Sequence, residues 1–92
     1  MTDPLVEVWV HDTGLAFDGR VVELFRSTGG SERIHLLQFG YEVRGPDKRD
    51  VRTLLAGAQS KRGISGGVSM AVEGADWPAV EQLLRSIDAA RR

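Results

Sequence analysis

Asp76-Trp77-Pro78-Ala79-Val80-Glu81-Gln82-Leu83-Leu84-Arg85-Ser86-Ile87-Asp88-Ala89-Ala90-Arg91-Arg92 is the only long stretch of the chain with helical periodicity. Trp77, Val80, Leu83, Leu84, Ile87 and Ala90 recur at helical spacing and make one apolar stripe. Asp76 stands where an N-cap is wanted. Pro78 falls in the first turn, where a missing N–H costs little. Glu81 and Arg85 are placed to pair on the wet face, and Arg91 and Arg92 lie at the negative end of the helix dipole. A capping helix is therefore expected over 76–91, after a strand-rich body over 5–73.

Working back from the helix, Val68 to Glu73 alternates as a strand should, and Gly74-Ala75 breaks it from the helix. Ala58 to Gly67 is rich in Gly, Ser, Lys and Arg and reads as a loop. Val51 to Ala58 has two readings. Val51, Leu54, Leu55 and Ala58 have helical spacing, but Gly57 inside a helix costs about 1 kcal/mol. A strand over 51–56 is the favoured one, since it can pair with the strand at 68–73. Gly45-Pro46-Asp47 ends a strand over Tyr41 to Arg44, and Gly40 reads as a bulge or bend between it and Ile34-His35-Leu36.

Nearer the start, Leu5 to His11 alternates, with Val6, Val8 and Val10 on one face and Glu7, Trp9 and His11 on the other. Asp12-Thr13-Gly14 reads as a turn and Asp18-Gly19 as the two-residue centre of a hairpin. Leu15 to Asp18 and Arg20 to Arg26 are its strands, and Ser27 to Ser31 is a loop. The expected fold is mainly β with one C-terminal α-helix. An antiparallel set of six or seven strands would form a curled sheet or partly open barrel, with the helix capping one end.

Gly14 to Arg20, Arg33 to Leu36 and Asp76-Trp77 through Ile87 give the chain a pattern of strands and turns that resembles a small bacterial pleckstrin-homology-like domain. The resemblance spans nearly the whole chain. It implies a binding module rather than one activity, because that fold hosts lipid, peptide and protein binders alike. Phosphoinositide binders of the family carry basic residues around the first inter-strand loop. Here that loop is His11-Asp12-Thr13-Gly14, with no Lys or Arg, so a phosphoinositide is not the expected ligand.

Composition bounds the chemistry. The chain's 92 residues suit a single domain with a modest core. With no cysteine there is no disulfide, thiolate metal site or cysteine nucleophile. No run of apolar residues is long enough to span a bilayer, and Met1-Thr2-Asp3-Pro4 has no signal-peptide character, so a cytoplasmic location is expected. Ten arginines against two lysines fit a GC-rich bacterial genome.

Charge is uneven. Residues 44–62 hold six basic and two acidic side chains, a balance of +4, and the rest of the chain carries −5. Lys48, Arg49, Lys61 and Arg62 are thus candidates for an anion. A strand between them would put the two pairs at opposite ends and make two weak patches.

His11 and His35 lack metal-ligand spacing, so no metal or cofactor is expected. His11 beside Asp12 resembles an oriented general base, but the turn accounts for Asp12. Gly63-Ile64-Ser65-Gly66-Gly67 lacks the Lys-Ser/Thr ending of a phosphate loop and reads as a hairpin loop. Trp9 is either core or interface, depending on which face of its strand is inward. A nucleic-acid reader would place aromatics on a basic face, and here the two lie in different segments.

The function expected from these observations is a non-enzymatic interaction module. It would bind a protein partner or itself through a sheet edge or the Trp9 face. The alternative is an anion or small-molecule-binding domain that uses the basic segment.

Overall fold

A computed structural model describes residues 6–91. The chain is mainly β with one C-terminal helix. Four strands form one antiparallel sheet: β1 (Val6–Val10), β2 (Thr13–Phe17), β3 (Val21–Phe25) and β4 (Ser31–His35), in the order β1-β2-β3-β4. Three more form a second: β5 (Phe39–Arg44), β6 (Val51–Ser60) and β7 (Gly63–Glu73), in the order β5-β6-β7. The helix α1 (Trp77–Ala90) follows. Among the described residues no strand pairing joins the sheets, so they do not close into a ring.

One core draws on both sheets and the helix. Val10, Leu15 and Phe17, Val22 and Leu24, and Ile34 enter it from the first sheet. Phe39, Leu54, Ala56, Met70 and Val72 enter from the second, and Val80, Leu83, Leu84 and Ile87 from α1. Among the described residues no polar or charged residue is buried, so the core is held by apolar contact alone. Ala90 is exposed and falls outside the buried stripe, while Trp77 packs half-buried against it.

Several local expectations are corrected. Asp76 makes no side-chain capping bond; it is itself near helical, at φ −94° and ψ −14°. The first turn is centred on His11-Asp12, with His11 at φ 56°, and Thr13 and Gly14 already belong to β2. The β2–β3 turn is centred on Gly19-Arg20 rather than Asp18-Gly19. Asp18 and Val21 close it, and Gly19 takes φ 99° at the first central position, as type II′ turns require. Gly40 is no bulge: it lies inside β5 opposite Gly57.

The larger correction concerns 58–67. This segment is strand rather than loop, since β6 runs to Ser60 and β7 starts at Gly63, with only Lys61-Arg62 between. The glycines that suggested a loop serve a β-bulge, where the β6–β7 register shifts between Ala56 and Ala58. Gly66 and Gly67, at φ 67° and 75°, let β7 make the kink. Leu5 and Arg92 lie outside the described residues.

Asp18 has a role beyond its place beside the turn. Its Oδ1 accepts hydrogen bonds from the backbone N–H groups of Arg20 and Val21, each at 2.8 Å. The Val21 amide, then the Arg20 amide, hold the carboxyl below its ordinary value. A carboxylate with a lowered folded-state pKa stabilises the fold above the unfolded-state value, and that contribution fades as pH falls through the folded-state value. Asp18→Ala is therefore expected to weaken the protein more at about pH 6 than at about pH 2. Urea midpoints at both pH values check this, and an equal loss at both would remove the carboxylate from the explanation.

Candidate functional site

Trp9 lies on the outer face of the first sheet and is 49% exposed. The register explains its pose. Trp9 stands opposite Gly14 on β2, and Gly14 stands opposite Phe25 on β3. With no side chain between them, the indole folds across the glycine and stacks on the Phe25 ring, centroids 5.0 Å apart and planes inclined 25°. A Cβ on Gly14 would lie 2.7 Å from the indole, so the glycine makes room for the ring. The indole N–H donates to Oε1 of Glu7 on the same strand. The ring is thus held flat against the sheet. Both ends of the strand-face alternative are settled: Val10 is buried, Val6 and Val8 pack on the core, and Trp9 faces out.

The four basic candidates do not form one group. Lys48 and Arg49 lie in the β5–β6 turn and Lys61 and Arg62 in the β6–β7 turn, all exposed. The ten residues of β6 separate the two pairs by roughly 30 Å at about 3.3 Å per residue. In the first turn, Asp47 Oδ1 accepts from the N–H groups of Arg49 and Val51, so this acid is absorbed by local structure.

An open cleft of about 210 Å³ lies between the β1–β2 and β3–β4 turns and the middle of β7, lined by Thr13, Arg26, Ser27, Thr28, Gly67, Val68 and Ser69. At its edge Glu32 Oε2 accepts from the Gly67 N–H and from Arg26 Nη2, both at 2.9 Å. These contacts tie β4 to β7 and so tie one sheet to the other. Sequence reasoning missed Glu32, Arg26 and Phe25. A hairpin register centred on residues 11–12 would have put Gly14 opposite Trp9, but nothing local marks the Glu32–Gly67 contact.

At the opposite side of the second sheet, α1 is fastened to β5. The Tyr41 hydroxyl donates to Asp88 Oδ2 at 2.7 Å, and Arg91 donates to Asp88 Oδ1 and to the Phe39 carbonyl. Burial raises the Tyr41 phenol above its ordinary value, and its bond to the Asp88 carboxylate adds to this. Arg91 also lies over the Phe39 ring, and Arg52 over Trp77.

His11 and His35 are exposed, and His35 Nδ1 accepts from the Leu37 N–H. Among the described residues no three His, Asp or Glu side chains gather to hold a metal ion. No helix among them is long and apolar enough to cross a membrane. No protein-family model matches the chain, and neither does any curated protein or solved structure.

Proposed function

We propose that the chain is a non-enzymatic interaction module of pleckstrin-homology-like build, which binds a protein partner or a second copy of itself through the Trp9–Phe25 face. The observation that carries this reading is the exposed, pre-positioned indole. Tryptophan is enriched where binding energy concentrates, and a ring already fixed in place loses little entropy on binding. Strands β1 and β4 border that face as the edges of their sheet, so a partner strand can add there through unpaired backbone groups. Four strands, three strands and a C-terminal helix, in that order, support the resemblance of build.

A photo-crosslinking side chain at Ser31, which continues the Trp9–Gly14–Phe25 row onto β4, tests the reading. The same group at Arg85, on the exposed face of α1, is the control. Adducts are expected from position 31 only and should vanish on Trp9→Ser while the circular dichroism stays folded. Their mass separates a second copy from another protein. Equal labelling from both positions, or adducts indifferent to Trp9, would sink the proposal.

A further inference from the structure

At the β7 bulge the Gly67 N–H holds an oxyanion, and the oxyanion is the protein's own. Gly66 and Gly67 both take left-handed backbone conformations, at φ 67° and 75°. A turn in the backbone can aim an N–H at a negative charge. The Glu32 carboxylate is held this way: Oε2 takes the Gly67 N–H and the Arg26 guanidinium, each at 2.9 Å. Its Oε1 lies where a Cβ on Gly66 would be 3.5 Å away. One amide, one guanidinium and two glycines thus surround one carboxylate, and the side chains of Arg26 and Glu32 stay 37% and 33% exposed.

The cradle opens onto the 210 Å³ cleft, which adds the hydroxyl-bearing residues Thr13, Ser27, Thr28 and Ser69. Drug-sized ligands fill pockets of about 300–1,000 Å³, so a cleft of this size suits a compact group. Hydroxyls, an amide and a guanidinium are the donors that a tetrahedral oxyanion takes up, and Arg offers them in a fork.

We propose that this cleft is a binding site for a phosphate monoester, with Glu32 as the built-in occupant that the ligand displaces. The phosphate takes over the Arg26 and Gly67 contacts and gains the hydroxyls, while Glu32 turns out to water. This site is independent of the Trp9 face. It also differs from the Lys48, Arg49, Lys61 and Arg62 patches in being built from backbone amide and hydroxyl donors as well as charge.

The competing role for the same contacts is a latch that only joins the two sheets. Glu32→Gln separates them. It keeps the side-chain shape and an acceptor for the Gly67 N–H but removes the charge that competes for Arg26. Inorganic phosphate and glycerol phosphate are titrated into the labelled protein at low ionic strength, with matched sodium chloride as reference, and the Gly67 and Ser69 amide resonances are followed. Glu32→Gln is expected to bind both probes about tenfold more tightly than the parent, the size of one charge-assisted contact. Arg26→Gln is expected to abolish the shifts, and Lys48→Gln with Arg49→Gln to leave them unchanged. Tighter binding of glycerol phosphate than of inorganic phosphate would identify the ester as the preferred form. If Glu32→Gln loses stability without gaining affinity, or if shifts persist in Arg26→Gln, the cradle is a latch and the proposal falls. Neither result bears on the crosslinking from position 31.

Discussion

Leu84→Ala is expected to lower the unfolding free energy by about 2–5 kcal/mol. Leu84 is 3% exposed and lies among Val80, Leu83 and Ile87, all of them closed off from water. Truncation removes the transfer free energy of three carbons and leaves a hole. The surrounding strands cannot collapse far into that hole, because their own side chains are already committed to the same core. A chain this small has only roughly 5–15 kcal/mol in hand, so the loss would be a large share of its stability. Urea melts of parent and variant with equal slopes give the number. A loss below about 1 kcal/mol would mean that α1 rests on the sheets without filling them.

Gly67→Ala is expected to be at least as damaging, by about 3 kcal/mol or more. A Cβ there would come within 1.8 Å of the Ala56 carbonyl oxygen and 2.6 Å of Gly57 Cα, both of them backbone. Backbone cannot swing aside as a side-chain tip can, so either the bulge opens or the β6–β7 register slips. Gly63→Ala is the matching control. Its φ of 110° is as unfavourable for alanine, but nothing lies within 4 Å of the new Cβ. Backbone strain alone costs about 1–3 kcal/mol there. Similar losses at the two positions would show that conformation rather than close approach decides the cost at Gly67.

The helix and most strands were legible because their signals are local. The stripe Val80, Leu83, Leu84, Ile87 and the alternation in Val6 to Val10 and Val68 to Glu73 each need only a few neighbouring residues to be seen. Turn centres lie one to two residues from where the local sequence puts them, at Asp12-Thr13-Gly14 and at Asp18-Gly19. A turn's centre is fixed by which residues close it across the hairpin, and Asp18 serves as closing residue and side-chain acceptor at once. The stretch 58–67 resembles a loop for a different reason. Glycine and serine are frequent in loops, yet here Gly66 and Gly67 carry an irregularity inside a long strand. The separation of Lys48 and Arg49 from Lys61 and Arg62 followed from reading a strand between them. The pose of Trp9 did not, since it depends on Gly14 and Phe25 from two other strands. Glu32 meeting Gly67, 35 residues away, is a matter of how two sheets lie together.

The two sheets are built almost entirely from sequence neighbours: every strand pair in either sheet is a hairpin of consecutive strands. The helix, like the Glu32–Gly67 tie between the sheets, is held from far along the chain. Its ties to β5 join residues 47 and 52 positions apart, Tyr41 to Asp88 and Phe39 to Arg91. On the ribosome the strands therefore emerge with their partners close behind them, and each hairpin can zip as it appears. The interior they leave between them still lacks Val80, Leu83, Leu84 and Ile87 when Glu73 has been added. Until the helix docks, the folding chain displays an unfilled apolar floor, open to chaperones and to neighbouring chains.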